Sequence, residues 1–273
     1  MRTDGRKSDL GARPSDHDSD GCCDRRDDRS SLLGSVAVRA LIVADGDVPS
    51  RSALDAGWPG WSDDVDLIVA ADGGWDKAVA LGLRPDLLVG DADSLPEDRY
   101  TGVAAQGVAV ERSPAAKDES DAELAVLAAL RRGATRVTIL GALGGRRFDH
   151  ALANVGLLAL ADPLVAEVEL LDATTRVRLL RARAGGGPVR LDLAGSVGDL
   201  VSLLPLGGSA EGVTTAGLLY PLGDEVLRPG PARGLSNVRV TTQAAVSLRR
   251  GSLLAVETRT STTTELPGTG DQM

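Results

Sequence analysis

Residues 65–82 read VDLIVAADGGWDKAVALG, and the fold is decided there. The apolar run 65–71 has the length and aliphatic content of a strand buried on both faces. A helical stretch follows from Trp75 to Leu81 and stops at Gly82, a residue suited to the left-handed turn that closes a helix. Between them, Asp72 is followed by Gly73 and Gly74, which permit a tight turn and bring backbone N–H groups close to a ligand phosphate. A buried strand, a turn and a helix within 18 residues is one half of a βαβ unit.

The same alternation extends outward. ALIVA (40–44) precedes it. DLLVG (86–90), VAV (108–110), a helix from about Asp121 to Arg132 stopped by Gly133, the strand VTILGAL (137–143) and a helix through Ala161 follow. Near-continuous apolar strands between helices imply a mostly parallel α/β sheet, whose ligands sit outside the carboxyl ends of the strands. After about Asp162 the texture changes to short alternating segments around 167–182, then DLVSLLPL (199–206), GVTTAGLLYPL (212–222), NVRVTT and AVSLRR, separated by Gly- and Pro-rich turns. These predict a C-terminal all-β domain, sandwich- or barrel-like. The expected organisation is a disordered tail at 1–34, an α/β domain at 35–162, a β domain at 163–259 and a flexible tail at 260–273. Both tails are polar and lack periodic apolar residues.

The 273 residues are 42% hydrophobic and 25% charged but only 2% aromatic, so the core must be aliphatic. A net charge of −9 and a pI near 4.8 argue against nucleic-acid binding, which needs a basic face. The only cysteines, Cys22 and Cys23, are adjacent and offer neither a disulfide framework nor a zinc site. No apolar run approaches the ~20 residues that span a bilayer, so the expectation is a cytoplasmic protein with no membrane contact.

The acidic motifs fall at the ends of predicted strands. In GDADS (90–94), Asp91 and Asp93 are two apart in extended chain, which places their carboxylates on one side. A hard divalent cation relieves their repulsion, and Mg²⁺ takes one or two carboxylates with phosphate oxygens and water completing its shell. KDESDAE (117–123) opens a helix. Ser120 and Glu123 fit a capping box, leaving Lys117 and Asp121 as functional candidates at an anion-favouring helix start. GALGGRRFDHALAN (141–154) supplies flexible glycines, Arg146 and Arg147 for phosphate, Asp149, and His150, the only histidine outside the tail. His150 is not assigned as a general base. No P-loop, dinucleotide fingerprint or Ser/His/Asp constellation is present.

Taken together, ADGG, GDADS, KDESD and GGRRFDHALAN, in this order and at these intervals, resemble the thiamine pyrophosphokinase family. SLLPLGG (202–208), GVTTAGLLYPL (212–222) and GLSNV (234–238) look like that family's thiamine-binding domain, so the resemblance spans about residues 40–257. It implies an α/β domain that binds ATP with Mg²⁺, a C-terminal β domain, and a homodimer with thiamine sites between subunits. By motif position Asp91, Asp93 and Asp121 would hold the metal, with Asp72 and Lys117 completing the catalytic set. Gly73, Gly74, Arg147, Asp149 and His150 would meet ATP, and Tyr220, Ser236 and Asn237 would meet thiamine.

Three departures stand out. Ala92 replaces a frequent Phe, Ser120 a usual Thr, and GGRRFDH carries one residue more than the common G-G-R-x-D-H. Counting back from Asp149 and His150 favours Arg147 over Arg146. The expected reaction moves the pyrophosphoryl group of ATP to the thiamine hydroxyl, giving thiamine diphosphate and AMP. Three other readings compete: a pyrophosphokinase for another alcohol such as a pterin, a glycosyltransferase using Asp91-Ala92-Asp93 as a D-x-D motif, and a non-catalytic nucleotide or thiamine sensor.

Overall fold

Six strands carry the α/β half in the computed structural model: Val38–Val43 (β1), Leu67–Ala71 (β2), Leu87–Asp91 (β3), Ala109–Ser113 (β4), Ala134–Leu140 (β5) and Glu167–Leu171 (β6). The described residues are 37–91, 97–114, 118–162, 166–183 and 185–260, with backbone alone for 91 and 97–99. Every neighbouring pair among these strands is parallel, in the order β6-β5-β1-β2-β3-β4. Their aliphatic runs are explained by cover on both faces: Leu41, Ile42 and Val43 alternate between faces, yet all have zero exposure.

Five helices provide that cover: Arg51–Gly57 (α1), Gly74–Ala80 (α2), Glu97–Ala105 (α3), Asp121–Arg131 (α4) and Phe148–Leu157 (α5). Leu54 of α1, Trp58, Trp61 and Ala78 of α2 close on Leu41, Val43, Leu140 and Leu171. On the opposite face, Ala125, Ala128 and Ala129 of α4 and Leu157 of α5 pack on Ala40, Ile42, Val69 and Ile139. The small alanine faces allow α4 to lie close to the sheet. From β1 the chain steps to β2, β3 and β4 on one side, then returns to lay β5 on the other side of β1. This reversal opens a crevice at the carboxyl ends of β1 and β5.

The C-terminal half is antiparallel: Thr175–Arg181 (β7), Val189–Leu193 (β8), Leu200–Pro205 (β9), Ala210–Ala216 (β10), Glu225–Leu227 (β11), Asn237–Val238 (β12), Ala244–Leu248 (β13) and Ser252–Thr258 (β14). β7 pairs antiparallel with β6, and β14, β9 and β12 continue outward, so one ten-stranded sheet runs through both halves. A four-stranded sheet, β11-β10-β13-β8, faces its outer part across Leu180, Leu203 and Leu253 on one side and Leu193, Val213, Val246 and Leu248 on the other. Beside this second core Glu257, 2% exposed, takes both Arg176 (3.0 Å) and Arg178 (2.8 Å). Asp199 takes Arg259 at 2.9 Å.

The parallel α/β half and antiparallel C-terminal β half agree with the sequence expectation. Elements differ in detail. β5 starts three residues earlier than expected and ends at Leu140, freeing Gly141 for the loop, and α5 ends at Leu157, not Ala161. The expected tail at 1–34 lies outside the described residues, as does the expected tail at 260–273 apart from Thr260, whose N–H donates to Asp199 Oδ1 at 3.0 Å. Among the described residues no helix is long and apolar enough to cross a membrane.

Candidate active site

The site is built where strands stop. β2 ends at Ala71, and Asp72 adopts φ 50, a left-handed conformation uncommon for an L-residue but more accessible to Asp than to most. It is held by its N–H donating to the Val89 carbonyl (2.8 Å) and its carbonyl accepting from Trp75 N–H (3.1 Å). Gly74 lies against the Val43 carbonyl, where a side chain would collide, so its role includes seating the Asp72 turn on β1. Next along the edge, a Cβ on Gly90 would stand 3.5 Å from the Asp72 Cα and 2.8 Å from the Tyr100 hydroxyl. Asp91 follows Gly90 as the last residue of β3. The carboxyl ends bearing Asp72 and Asp91 are therefore direct neighbours.

Asp121 arrives from the other direction as the first residue of α4. Ser120 caps that helix, its hydroxyl accepting from Glu123 N–H at 3.1 Å, as the capping pattern implies. Because α4 follows β4 and packs on β2, β3 and β5, its N-terminus opens toward the same carboxyl edge. Asp93 and Lys117 lie outside the described residues, as does the side chain of Asp91. Among the described residues no three His, Cys, Asp or Glu side chains are grouped closely enough to hold a metal. The donor types at this edge, carboxylates without thiol or imidazole, fit a hard divalent cation.

Two further acids, Asp45 and Asp47, occupy the crevice between β1 and β5; the sequence reading passed over them. Gly46 N–H donates to the Gly141 carbonyl (3.1 Å), and a Cβ on Gly46 would meet the carbonyl oxygens of Gly141 and Gly144, the latter at 2.5 Å. Gly144 in turn faces the Cβ of Asp47 at 2.9 Å. The glycines of the 141–145 loop are thus required by backbone contact with the β1 turn. The available signal was A-D-G-D (44–47) directly after an apolar run, the pattern already noticed in A-D-G-G (71–74). A cavity of about 560 Å³ beside this turn is lined by Asp47, Ser50, Arg51, Lys77 and Leu81.

Beyond the loop, Arg147 is the N-cap residue of α5 and pairs with Asp149, Nε to Oδ1 at 3.1 Å. Each holds the other charged: the hydrogen bond and charge of Asp149 raise the Arg147 guanidinium above its ordinary range, and Arg147 keeps the Asp149 carboxyl below its own. His150 is exposed on the same first turn, and Asn154 Nδ2 donates to the Ala142 carbonyl (3.0 Å), pinning α5 to the loop.

Tyr220, Ser236 and Asn237 come together elsewhere. Asn237 Oδ1 accepts from Tyr220 N–H (2.9 Å) and Val238 N–H (2.9 Å), while Nδ2 donates to the Tyr220 carbonyl (2.7 Å). The amide is occupied in shaping the turn, and Tyr220, 57% exposed, stands beside the likewise exposed Leu219 as an apolar ledge, with Leu235 exposed just before Ser236. Ser236 stands at φ 52, with its N–H donating to Ser202 Oγ at 3.0 Å. This ledge is distant from the acids. β12 and β3 are eight strand spacings apart in the ten-stranded sheet, about 38 Å along it at roughly 4.8 Å per spacing.

The two halves of the chain each match a described family. Residues 60–168 match the family model described as thiamin pyrophosphokinase, catalytic domain, and residues 189–253 match thiamin pyrophosphokinase, vitamin B1 binding domain. The chain belongs to the thiamin pyrophosphokinase family. A thiamine pyrophosphokinase of Bacillus subtilis (strain 168) is 25% identical over 198 residues, covering 72% of this chain and 89% of the relative. The crystal structure of the Bacillus subtilis thiamine pyrophosphokinase shares the fold with a TM-score of 0.68 at 24% identity, over 82% of this chain and 100% of that one. A thiamin pyrophosphokinase family protein from Enterococcus faecalis gives 0.64 at 26% identity, over 82% and 100%. Thiamin pyrophosphokinase from Candida albicans keeps a TM-score of 0.66 at 16% identity, over 81% and 89%. Membership of the thiamin pyrophosphokinase family makes this chain an enzyme, a diphosphotransferase of thiamine diphosphate biosynthesis. The family binds thiamine and ATP and typically uses a metal.

Proposed function

We propose that the transfer takes place at the carboxyl edge of β2 and β3, with residues 35–162 supplying the phosphate side and residues 163–259 the thiamine side. Asp91, Asp93 and Asp121 would hold Mg²⁺, which when bound neutralises and orients phosphate oxygens. Lys117 and Arg147 place positive charge beside the transferred and leaving groups, and the positive dipole end at the start of α4 favours the same anion. Gly73, Asp149 and His150 border the nucleotide, while Gly74 keeps the Asp72 turn on β1. The thiamine hydroxyl oxygen forms a bond to the β-phosphorus of ATP and gives up its proton to water, the bond from that phosphorus to the α–β bridging oxygen breaks, and AMP leaves with that oxygen. Asp72, held rigidly at the strand end, orients the hydroxyl or contributes to the metal site.

The observation that carries this reading is the separation within one chain. Tyr220, Ser236 and Asn237 lie too far along the sheet from Asp91 to serve the acids of their own subunit. In this reading a second copy brings its ledge to this edge, and the enzyme works in the cytoplasm as a homodimer with thiamine between subunits. The Tyr220 ring meets the thiamine rings, with Asn237 and Ser236 setting the turn that presents it.

A coupled assay for AMP with purified protein, ATP, Mg²⁺ and thiamine tests the reaction. AMP and thiamine diphosphate should form in equal amounts. AMP appearing only with a pterin alcohol would redirect the acceptor, and binding of both ligands without AMP would make the chain a sensor.

A further inference from the structure

Lys77 belongs to α2, the helix opened by the Asp72-Gly73-Gly74 turn, yet its ammonium reaches back to the end of β1. Nζ donates to Asp45 Oδ1 at 2.8 Å, to the Gly46 carbonyl at 2.7 Å and to the Asp45 carbonyl. Three donors meet three acceptors, which accounts for every proton of a lysine ammonium. The Asp45 carboxylate lies directly against Gly73, where a Cβ would collide with its Oδ1 and stand 3.1 Å from its Oδ2. One cation therefore joins the turns that follow β1 and β2. Through Gly46 N–H on Gly141 the same clasp reaches the loop after β5.

We propose that Lys77 is a positioning residue for the nucleotide: it fixes the β1 turn against the Asp72 turn and neutralises Asp45 beside the phosphates. The inference rests on reading the Asp72, Asp91 and Asp121 edge as the phosphate site. Without the ammonium, Asp45 is an unpaired carboxylate next to an anionic substrate, and its repulsion weakens ATP binding. Thiamine binding, which depends on the ledge of the β half, is unaffected.

Lys77→Met should raise the KM for ATP about 10-fold or more, the usual cost of losing a supporting contact, and leave the KM for thiamine unchanged. Lys77→Arg keeps the charge and should recover most of the loss. Asp45→Asn in the Lys77→Met background should also restore ATP affinity, since the repelling charge is gone, whereas Asp45→Asn alone should have little effect. A lower melting temperature with unchanged KM for ATP, an equal rise in both KM values, or no recovery in the double variant would overturn the proposal. Asp121→Asn, assayed in parallel, separates the two levels. If Asp121→Asn loses AMP formation while Lys77→Met is silent, the clasp fails alone; if Asp121→Asn keeps full metal-dependent activity, the phosphate-site reading fails.

Discussion

Gly46 shows how narrowly single positions are constrained at the strand ends. Its missing Cβ is the space in which the carbonyls of Gly141 and Gly144 approach the β1 turn. Gly46→Ala should cost about 1–3 kcal/mol through forced displacement of backbone. Denaturant unfolding should show the lower midpoint, and an unchanged one would mean that the two loops do not touch. Asp72 and Asp121 were legible in the sequence because glycines or a helix start flank them. Asp45 and Asp47 were not, because they carry neither a following pair of glycines nor a helix start, and their contacts with Gly73 and with the 141–145 loop are distant in sequence. Lys77 was invisible for a different reason: its partners are 31 and 32 residues away, and no local periodicity encodes them.

Among the elements, α4 is the one that aims an acid. Its Ser120 cap fixes where the helix begins and so where Asp121 sits. Ser120→Ala should destabilise the protein by about 1 kcal/mol, and Ser120→Asp or Ser120→Thr should retain most of the cap; equal stability of all three would remove the cap's role. β1, β2, β3, β4 and β5 were readable from their aliphatic runs. α1 and α3 were not, since their stretches present few buried apolar residues: Leu54 alone in α1, and Tyr100 and Val103 in α3. β14 escaped notice although it bridges β7 and β9, because nothing local in SLLAVET marks its partners. The continuity of one sheet through both halves is a pairing fact for the same reason.

β9 carries a pH-sensitive tie at its entrance. Burial of Asp199 works to raise its pKa, but N–H donors from Ser196 and Thr260 and the Arg259 guanidinium outweigh it and hold the carboxyl below its usual range. A depressed folded pKa gives stability that is present above the unfolded value near pH 4 and is lost as pH falls through the folded one. Asp199→Asn should therefore be less stable at neutral pH and show a shallower loss of stability below about pH 4. Parallel pH profiles for the two proteins would contradict this.

For the whole molecule, the proposed sharing of ledge and acids between subunits makes catalysis a property of two chains. Asp121→Asn and Tyr220→Ala homodimers should each be deficient. Mixed and allowed to exchange subunits, they should regain activity, because each heterodimer assembles one intact site from the unaltered Tyr220 of one chain and the unaltered Asp121 of the other. No recovery in a mixture proven to contain heterodimers would place both residues in a site within one chain.

The most direct test of the central claim is AMP formation by Asp91→Asn and Asp93→Asn at saturating Mg²⁺, ATP and thiamine. Both should fall by about 100-fold or more, with the fold intact by circular dichroism. Normal AMP formation by both variants would contradict the assignment of these carboxylates to the metal and phosphates.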